Sequence, residues 1–296
     1  MAAKGKRSDV AGFIRATLGD EPTPEAQAWA RDEVVRPERR LVVGLVVTCV
    51  VGLSCLLVAQ LAPTAQGVLN GATNLAVVLA LVLFFLLFSR RQKLGARFAA
   101  MLDDQCDPVA YGDRYLAYLE LEWPEDRGGA LWNYARALRW QGRWAAACDL
   151  MAAYERSLDH KAPAQSRYLV EQIRAHCAFD QRRLADLIDA AHALQALDEA
   201  GLPKTYSQGV AQTVALANQL TREEQGDWDE AFLVWEGYFN VATPVQKALF
   251  ALHLARCAPS EKDSRPWASY ASANGGTTWC AAAGKKLKWE THVSRR

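Results

Sequence analysis

No charged residue interrupts the stretch from Leu41 to Ala62, and none interrupts Val68 to Phe88. Elsewhere charge is plentiful but balanced, leaving a formal net charge of +1 over 296 residues. Nucleic acid is therefore not an expected partner. Also missing are the short patterns that carry chemistry. There is no HExxH, no GxSxG, no P-loop and no GxGxxG, so the usual signs of a zinc peptidase, a serine hydrolase or a nucleotide-binding loop are absent. The seven cysteines (Cys49, Cys55, Cys106, Cys148, Cys177, Cys257 and Cys280) include no CxxC pair. They read as free thiols rather than a disulfide frame or a zinc site. Five histidines are scattered. Asp186, Asp189 and His192 recur at three-residue steps on one helical face, which without further ligands is a polar surface and not a metal site. His176 and Cys177 are adjacent and so point apart, a poor geometry for a catalytic pair. No cofactor, metal or small-molecule substrate is expected, and the chain reads as non-enzymatic.

The two charge-free stretches are each about twenty residues, the length an α-helix needs to cross a ~30 Å hydrocarbon layer. A buried core helix would keep a polar stripe. A cleaved signal peptide would begin nearer the N-terminus and carry a shorter apolar run. Arg36, Arg39 and Arg40 precede the first stretch, and Arg90, Arg91, Lys93 and Arg97 follow the second, whereas residues 63–67 carry no charge. Cations flank the cytoplasmic ends of membrane helices. The expected protein is thus a multi-pass protein of the plasma membrane with both termini in the cytoplasm and the lipid bilayer as one partner. In the first stretch Gly44, Thr48 and Gly52 recur every four residues, so one face is small. That face suits close packing against the second helix or association between molecules.

Around this hairpin the chain reads as helical throughout. Within residues 1–40, Lys4, Lys6 and Arg7 precede Val10, Phe13, Ile14 and Leu18, the spacing of a short amphipathic helix that either lies on the inner leaflet or is weakly ordered. A second short helix covers roughly 24–35. Beyond Lys93, strong helix formers dominate and turn signals recur: Gly128-Gly129, Gln141-Gly142, Ala162-Pro163, Gly201-Leu202-Pro203, Gly226-Asp227 and Thr243-Pro244. The expected helices are 94–104, 108–120, 129–141, 144–158, 164–179, 182–199, 204–223, 228–241, 244–257, 262–273 and 277–289. Asn274-Gly275-Gly276-Thr277 reads as a turn with Thr277 capping the last helix, and Lys285, Lys286 and Lys288 as its solvated end.

Within this region one phrase is written twice, as QGRWAAACDLMAAY from Gln141 and QGDWDEAFLVWEGY from Gln225. Gly142 and Gly226 supply a left-handed turn residue. Trp144 and Trp228 open the next helix. Ala147 and Ala231 allow close approach to the preceding helix, and Tyr154 and Tyr238 follow two turns later. The Gly-x-Trp-x-x-Ala pattern, with Met151 and Trp235 four residues after the alanines and Pro163 and Pro244 beyond, resembles the tetratricopeptide repeat. In the first copy Leu131, Tyr134, Ala135 and Leu138 also match that family's first helix. Departures are the two tyrosines where the family keeps alanine, and a separation of 84 residues rather than a multiple of ~34. Between the copies, HCAFDQRRLADLIDAAHAL reads as a degenerate unit with Asp180 near the glycine position and Ala185 at the alanine position.

The expected fold is therefore all-α: a two-helix transmembrane hairpin followed by a tetratricopeptide-like domain of αα-hairpins. Its parts are an N-terminal segment over 1–40, membrane helices over 41–62 and 68–89, an external turn over 63–67, and a cytoplasmic domain over 94–292. The resemblance implies protein binding on a concave surface lined by first helices, here Trp132, Arg136, Arg139 and Trp140, with Arg174 and His176 nearby. The alternative places the two tryptophans in the core and the arginines on a solvated face. The expected function is a membrane-anchored adaptor or scaffold for a protein partner. Its alternatives are a subunit of a larger membrane complex assembled through the hairpin, or an enzyme on an all-α domain.

Overall fold

The computed structural model describes residues 9–61, 66–121, 126–159 and 162–287. Lys4, Lys6, Arg7, His160, Lys288, His292 and most of the 63–67 turn lie outside these. Among the described residues every regular element is helical. The chain divides into two compact units: residues 23–99, and a second unit built from residues 1–22 together with 100–296.

The first unit is a hairpin. α2 (Pro24–Trp29) starts on Pro24 with Thr23 as its cap and leads through a π-helical stretch (Ala30–Val35) into α3 (Arg36–Leu61). Pro37 does not end the helix, as a proline normally would. It has no N–H for the carbonyl of Glu33 four residues back. Arg90 replaces it, its Nη2 donating to Glu33 O at 2.8 Å. The wider π turn upstream gives the ring room. α4 (Gln66–Ala99) returns antiparallel to α3 without a break at Lys93. The separate helix expected over 94–104 is therefore absent: 94–99 completes α4, and Ala100–Asp104 is a short π-helical stretch.

Both hairpin helices are long and apolar enough to cross a membrane. At ~1.5 Å per residue, the 26 residues of α3 extend about 39 Å. The small face of α3 turns toward α4. Gly52 is so close that a Cβ placed on it would lie 3.0 Å from Ala76 Cβ, whereas one on Gly44 would meet Leu83 at an ordinary 3.6 Å. Thr48 folds its hydroxyl back onto Gly44 O at 2.8 Å, so it presents no free polar group.

The second unit is a helical array: α5 (Pro108–Leu121), α6 (Arg127–Trp140), α7 (Trp144–Arg156), α8 (Ala164–Asp180), α9 (Leu184–Glu199), α10 (Lys204–Gln225), α11 (Trp228–Val241), α12 (Pro244–Cys257), α13 (Glu261–Asn274) and α14 (Trp279–Lys286). Consecutive helices pair, and α8 packs also on α6 and α10, giving repeated hairpin packing. α1 (Val10–Leu18) belongs to this unit, packing against α5, α6 and α7. It is neither loose nor free to lie on lipid. Val10 and Ile14 are buried, and just beyond, Asp20 accepts from Tyr134 Oη at 2.8 Å and from Arg143 Nη2 at 2.7 Å. Its apolar stripe fills the array's flank.

The far end folds back to the start. The N–H of Thr277 donates to Cys106 O at 2.9 Å and its hydroxyl to Asp107 at 2.7 Å, so Thr277 is a latch. Thr278, not Thr277, occupies the cap position of α14. Gly276, in left-handed backbone with φ +54°, lies where any side chain would run into Cys106 O. Lys285 and Lys286 are exposed at the end of α14.

The hairpin geometry sets one expectation. Gly52→Leu must displace α4 and should cost about 1–3 kcal/mol, whereas Gly44→Ala should be near neutral. Unfolding of the intact chain in detergent measures both, and equal effects would contradict the packing described.

Candidate functional site

Three turns in the array share one hydrogen-bond pattern. Gly142 N–H donates to Arg139 O at 2.9 Å and Arg143 N–H to Leu138 O at 2.9 Å. Gly226 and Asp227 repeat this with Glu223 O and Arg222 O at 3.2 and 3.0 Å. Arg182 and Arg183 do the same with Phe179 O and Ala178 O at 2.9 and 2.8 Å. Each turn places its middle residue in left-handed backbone, φ +80° at Gly142, +57° at Arg182 and +87° at Gly226. The middle unit is therefore two residues out from the register read in the sequence. Arg182, not Asp180, holds the glycine position. Leu187, nearly fully buried, holds the alanine position, while Ala185 is exposed. Arg182 lies 40 residues after Gly142 and 44 before Gly226, which accounts for the irregular spacing. A glutamine precedes the left-handed residue each time, at Gln141, Gln181 and Gln225, and that was the available signal.

An arginine in left-handed backbone is strained. Its side chain does what glycine cannot, pairing with Glu223 and with Glu224 (Nη2–Oε1 2.7 Å) in the next unit. The same step recurs one unit earlier. Arg139 grips Asp180 with two bonds of 2.7 Å, both side chains buried. Each pair spans 41 residues. Successive units are thus tied at their turn ends by arginine–carboxylate pairs, the first fully buried and the second with its arginine partly exposed. Such groups are tolerated away from water only when fully bonded.

Glu223 is the hub of the deeper cluster. It is fully buried and accepts from Arg182, from Trp235 Nε1 on α11 and from His253 Nδ1 on α12 at 2.7 Å. Burial opposes its ionisation, but His253 and Arg182 outweigh burial and hold it down at about 2. Burial also pushes His253 below the usual histidine value, against the pull of Glu223. His253 is therefore the uncharged donor and Arg182 the counter-charge.

Above this cluster is a groove of about 380 Å³ between α6, α8, α10, α11 and α12. Phe179, Leu216, Tyr238, Leu249 and Phe250 give it apolar walls, and the exposed Val241, Gln212 and Gln246 also line it. Its lining holds no carboxylate. His176 also lines it, with Nδ1 buried and unbonded. Burial, helped by the charges of Arg139 and Arg136, pushes His176 well below its usual value, so the ring is neutral.

The expected contact residues separate. Arg139 and Trp140 line the groove but are mostly buried, with the guanidinium of Arg139 4.4 Å from the Trp140 ring centre. The face of first helices is not open. α12 covers part of it, with His253 stacked on Phe179 at 5.0 Å between ring centroids. Trp132 and Arg136 are half-buried further along α6. Arg136 lies 4.9 Å over the Trp132 ring and reaches Asp103 at 3.3 Å. Arg174 is taken by Glu155 and Glu171 at 2.6 and 2.7 Å. Among the signature residues Ala147, Met151, Ala231 and Trp235 are fully buried. Tyr154 donates to Ser166 Oγ at 3.2 Å, Trp144 packs edge-on against Trp279, and Trp228 is half-buried beside Gly226. Tyr238 alone of the signature residues reaches the groove. Asp186, Asp189 and His192 are exposed, and among the described residues no three His, Cys, Asp or Glu groups stand together as metal ligands.

Compared with protein-family models, with characterised proteins and with solved structures, the chain matches none.

Two expectations follow from the buried charges. Asp180→Asn leaves Arg139 buried without its counter-charge, at a cost of about 3–5 kcal/mol read as a lowered denaturation midpoint. Stability should also fall on acidification. The folded value of His253 is below its unfolded one, so the unfolded chain takes up the proton first. That removes about 1.4 kcal/mol per pH unit below about 6.5. Glu223, depressed to about 2, adds a further loss as pH falls below its ordinary carboxylate range. His176, also pushed below its ordinary value by burial, acts in the same direction. Thermal unfolding of the intact chain in detergent between neutral pH and pH 5 measures the histidine part, and His253→Gln should reduce the slope without abolishing it.

Proposed function

We propose that this chain is a membrane-anchored, non-enzymatic adaptor of the tetratricopeptide-like kind, whose groove takes an apolar segment of a protein partner. The observation that carries the anchor is exposure. Val43, Leu53 and Phe85 are 61, 63 and 64% exposed, and most of their apolar neighbours on α3 and α4 are exposed too. Surface of this kind, around helices whose backbone is internally bonded, matches hydrocarbon and not water. The cations gather at the end of the hairpin where Arg91 meets Glu38 and Arg97 meets Glu33, which supports a cytoplasmic placement of that end. Residues 1–22 and 100–296 form one compact unit, which supports placing both on one side of the membrane. Assembly of a larger membrane complex through Gly44, Thr48 and Gly52 has less support, because α4 already occupies that face.

The adaptor reading rests on the groove. Its volume suits one or two apolar side chains, and the Gln212 amide suits the backbone between them. Val241, 86% exposed at the rim, marks the entrance. Confinement to a membrane raises the effective concentration of partners that share it. The test is a photo-crosslinking residue at position 241 in the native cell, with one at Val109, 52% exposed on α5, as control. A discrete protein adduct should form from position 241 and not from 109, and Leu216→Arg should reduce it at least about tenfold. Identical adducts from both positions would contradict the proposal.

A further inference from the structure

A cavity of about 450 Å³ lies at the cationic end of the hairpin, lined by residues of α3, α4 and the π-helical stretch before α3. Its polar wall carries Arg90, Arg91, Lys93 and Arg97 against Glu33 and Glu38. The charges do not cancel. Glu38, 6% exposed, is taken by Arg91, and Glu33 faces Arg97 at 3.7 Å. Arg90 spends one donor on the backbone oxygen of Glu33. Lys93 has no carboxylate partner among the described residues. Two cations therefore face the cavity without a counter-ion. The other wall is apolar and includes Leu41 and Leu86, at the ends of the charge-free stretches. If those stretches fill the hydrocarbon, the cavity stands at the depth of the lipid phosphates.

We infer that this cavity binds the phosphate of an anionic phospholipid, with Arg90 and Lys93 on the phosphate and the acyl chains running down past Leu41 and Leu86. The inference rests on the membrane reading and names a specific lipid contact within it. Arginine offers a fork of donors and lysine a mobile point charge, a pair suited to a phosphate oxyanion. A site differs from the diffuse attraction that any basic flank exerts on an anionic surface. Arg39 and Arg40 supply the comparison, since they are exposed at the same end and do not line the cavity.

The test uses the intact chain in a neutral detergent, titrated with phosphatidylglycerol or phosphatidylcholine and read by native mass spectrometry. One phosphatidylglycerol should be retained per chain, in preference to phosphatidylcholine. Arg90→Gln with Lys93→Gln should weaken retention about tenfold or more, as loss of roughly 1 kcal/mol per cation implies. Arg39→Gln with Arg40→Gln, the same charge change, should leave retention nearly unaltered. Lys93→Gln alone, which disturbs no helix carbonyl, should weaken it severalfold. Equal losses in the two double variants would overturn the site in favour of diffuse attraction. Displacement of the lipid by equimolar inorganic phosphate would overturn it in favour of a soluble-anion site. Failure to retain lipid by a chain that still needs detergent would overturn the cavity inference alone. A chain freely soluble without detergent would overturn the membrane reading as well.

Discussion

Valine, leucine and phenylalanine point outward from two long helices, and the packing of that hairpin is organised around keeping so much apolar surface on its outside. Polar groups inside the hairpin are withdrawn: Thr48 bonds its own helix, and the carbonyl freed by Pro37 is taken up by Arg90. The two rods touch through their smallest residues, which leaves the large side chains facing out. Charge is held back to the ends, where a basic rim meets two acidic side chains. Each of these features has a simple reason in hydrocarbon, and none is needed in water.

The helical unit solves a different problem. Its hairpins stack in a fixed order, and paired charges add directional bonds to the constraint of apolar packing. Arginine–carboxylate pairs at successive turn ends mark that order, Arg139 with Asp180 and then Arg182 with Glu223. Arg182 accepts an unfavourable backbone angle for this purpose. The return of α12 to α14 over the first helices then closes the array. A short groove remains above the polar hub.

Much of this was legible in the sequence. The helices from α5 to α14 lie close to where apolar spacing and turn residues put them, because propensity and pattern agree there. The small face of α3 was visible at Gly44, Thr48 and Gly52. The misses share a cause: they depend on contacts between residues far apart in the chain. A search for glycine could not find the middle turn, since its left-handed residue is an arginine stabilised by carboxylates 41 and 42 positions later. Val10 and Ile14 read as an isolated amphipathic stripe because the helices they fit come after the hairpin. Arg139 is offered by the sequence as a contact residue because Asp180, which takes its guanidinium, lies 41 residues on. Thr277 reads as a cap from its neighbours alone, but its partners are Cys106 and Asp107, 170 residues earlier for the latter.

The central claim is that α3 and α4 span hydrocarbon. Alkaline extraction of membranes from cells making the intact chain tests it most directly, because high pH strips peripheral proteins and leaves spanning ones. The account predicts that the chain stays in the membrane pellet until detergent is added. Release of the full-length chain into the alkaline supernatant would contradict it.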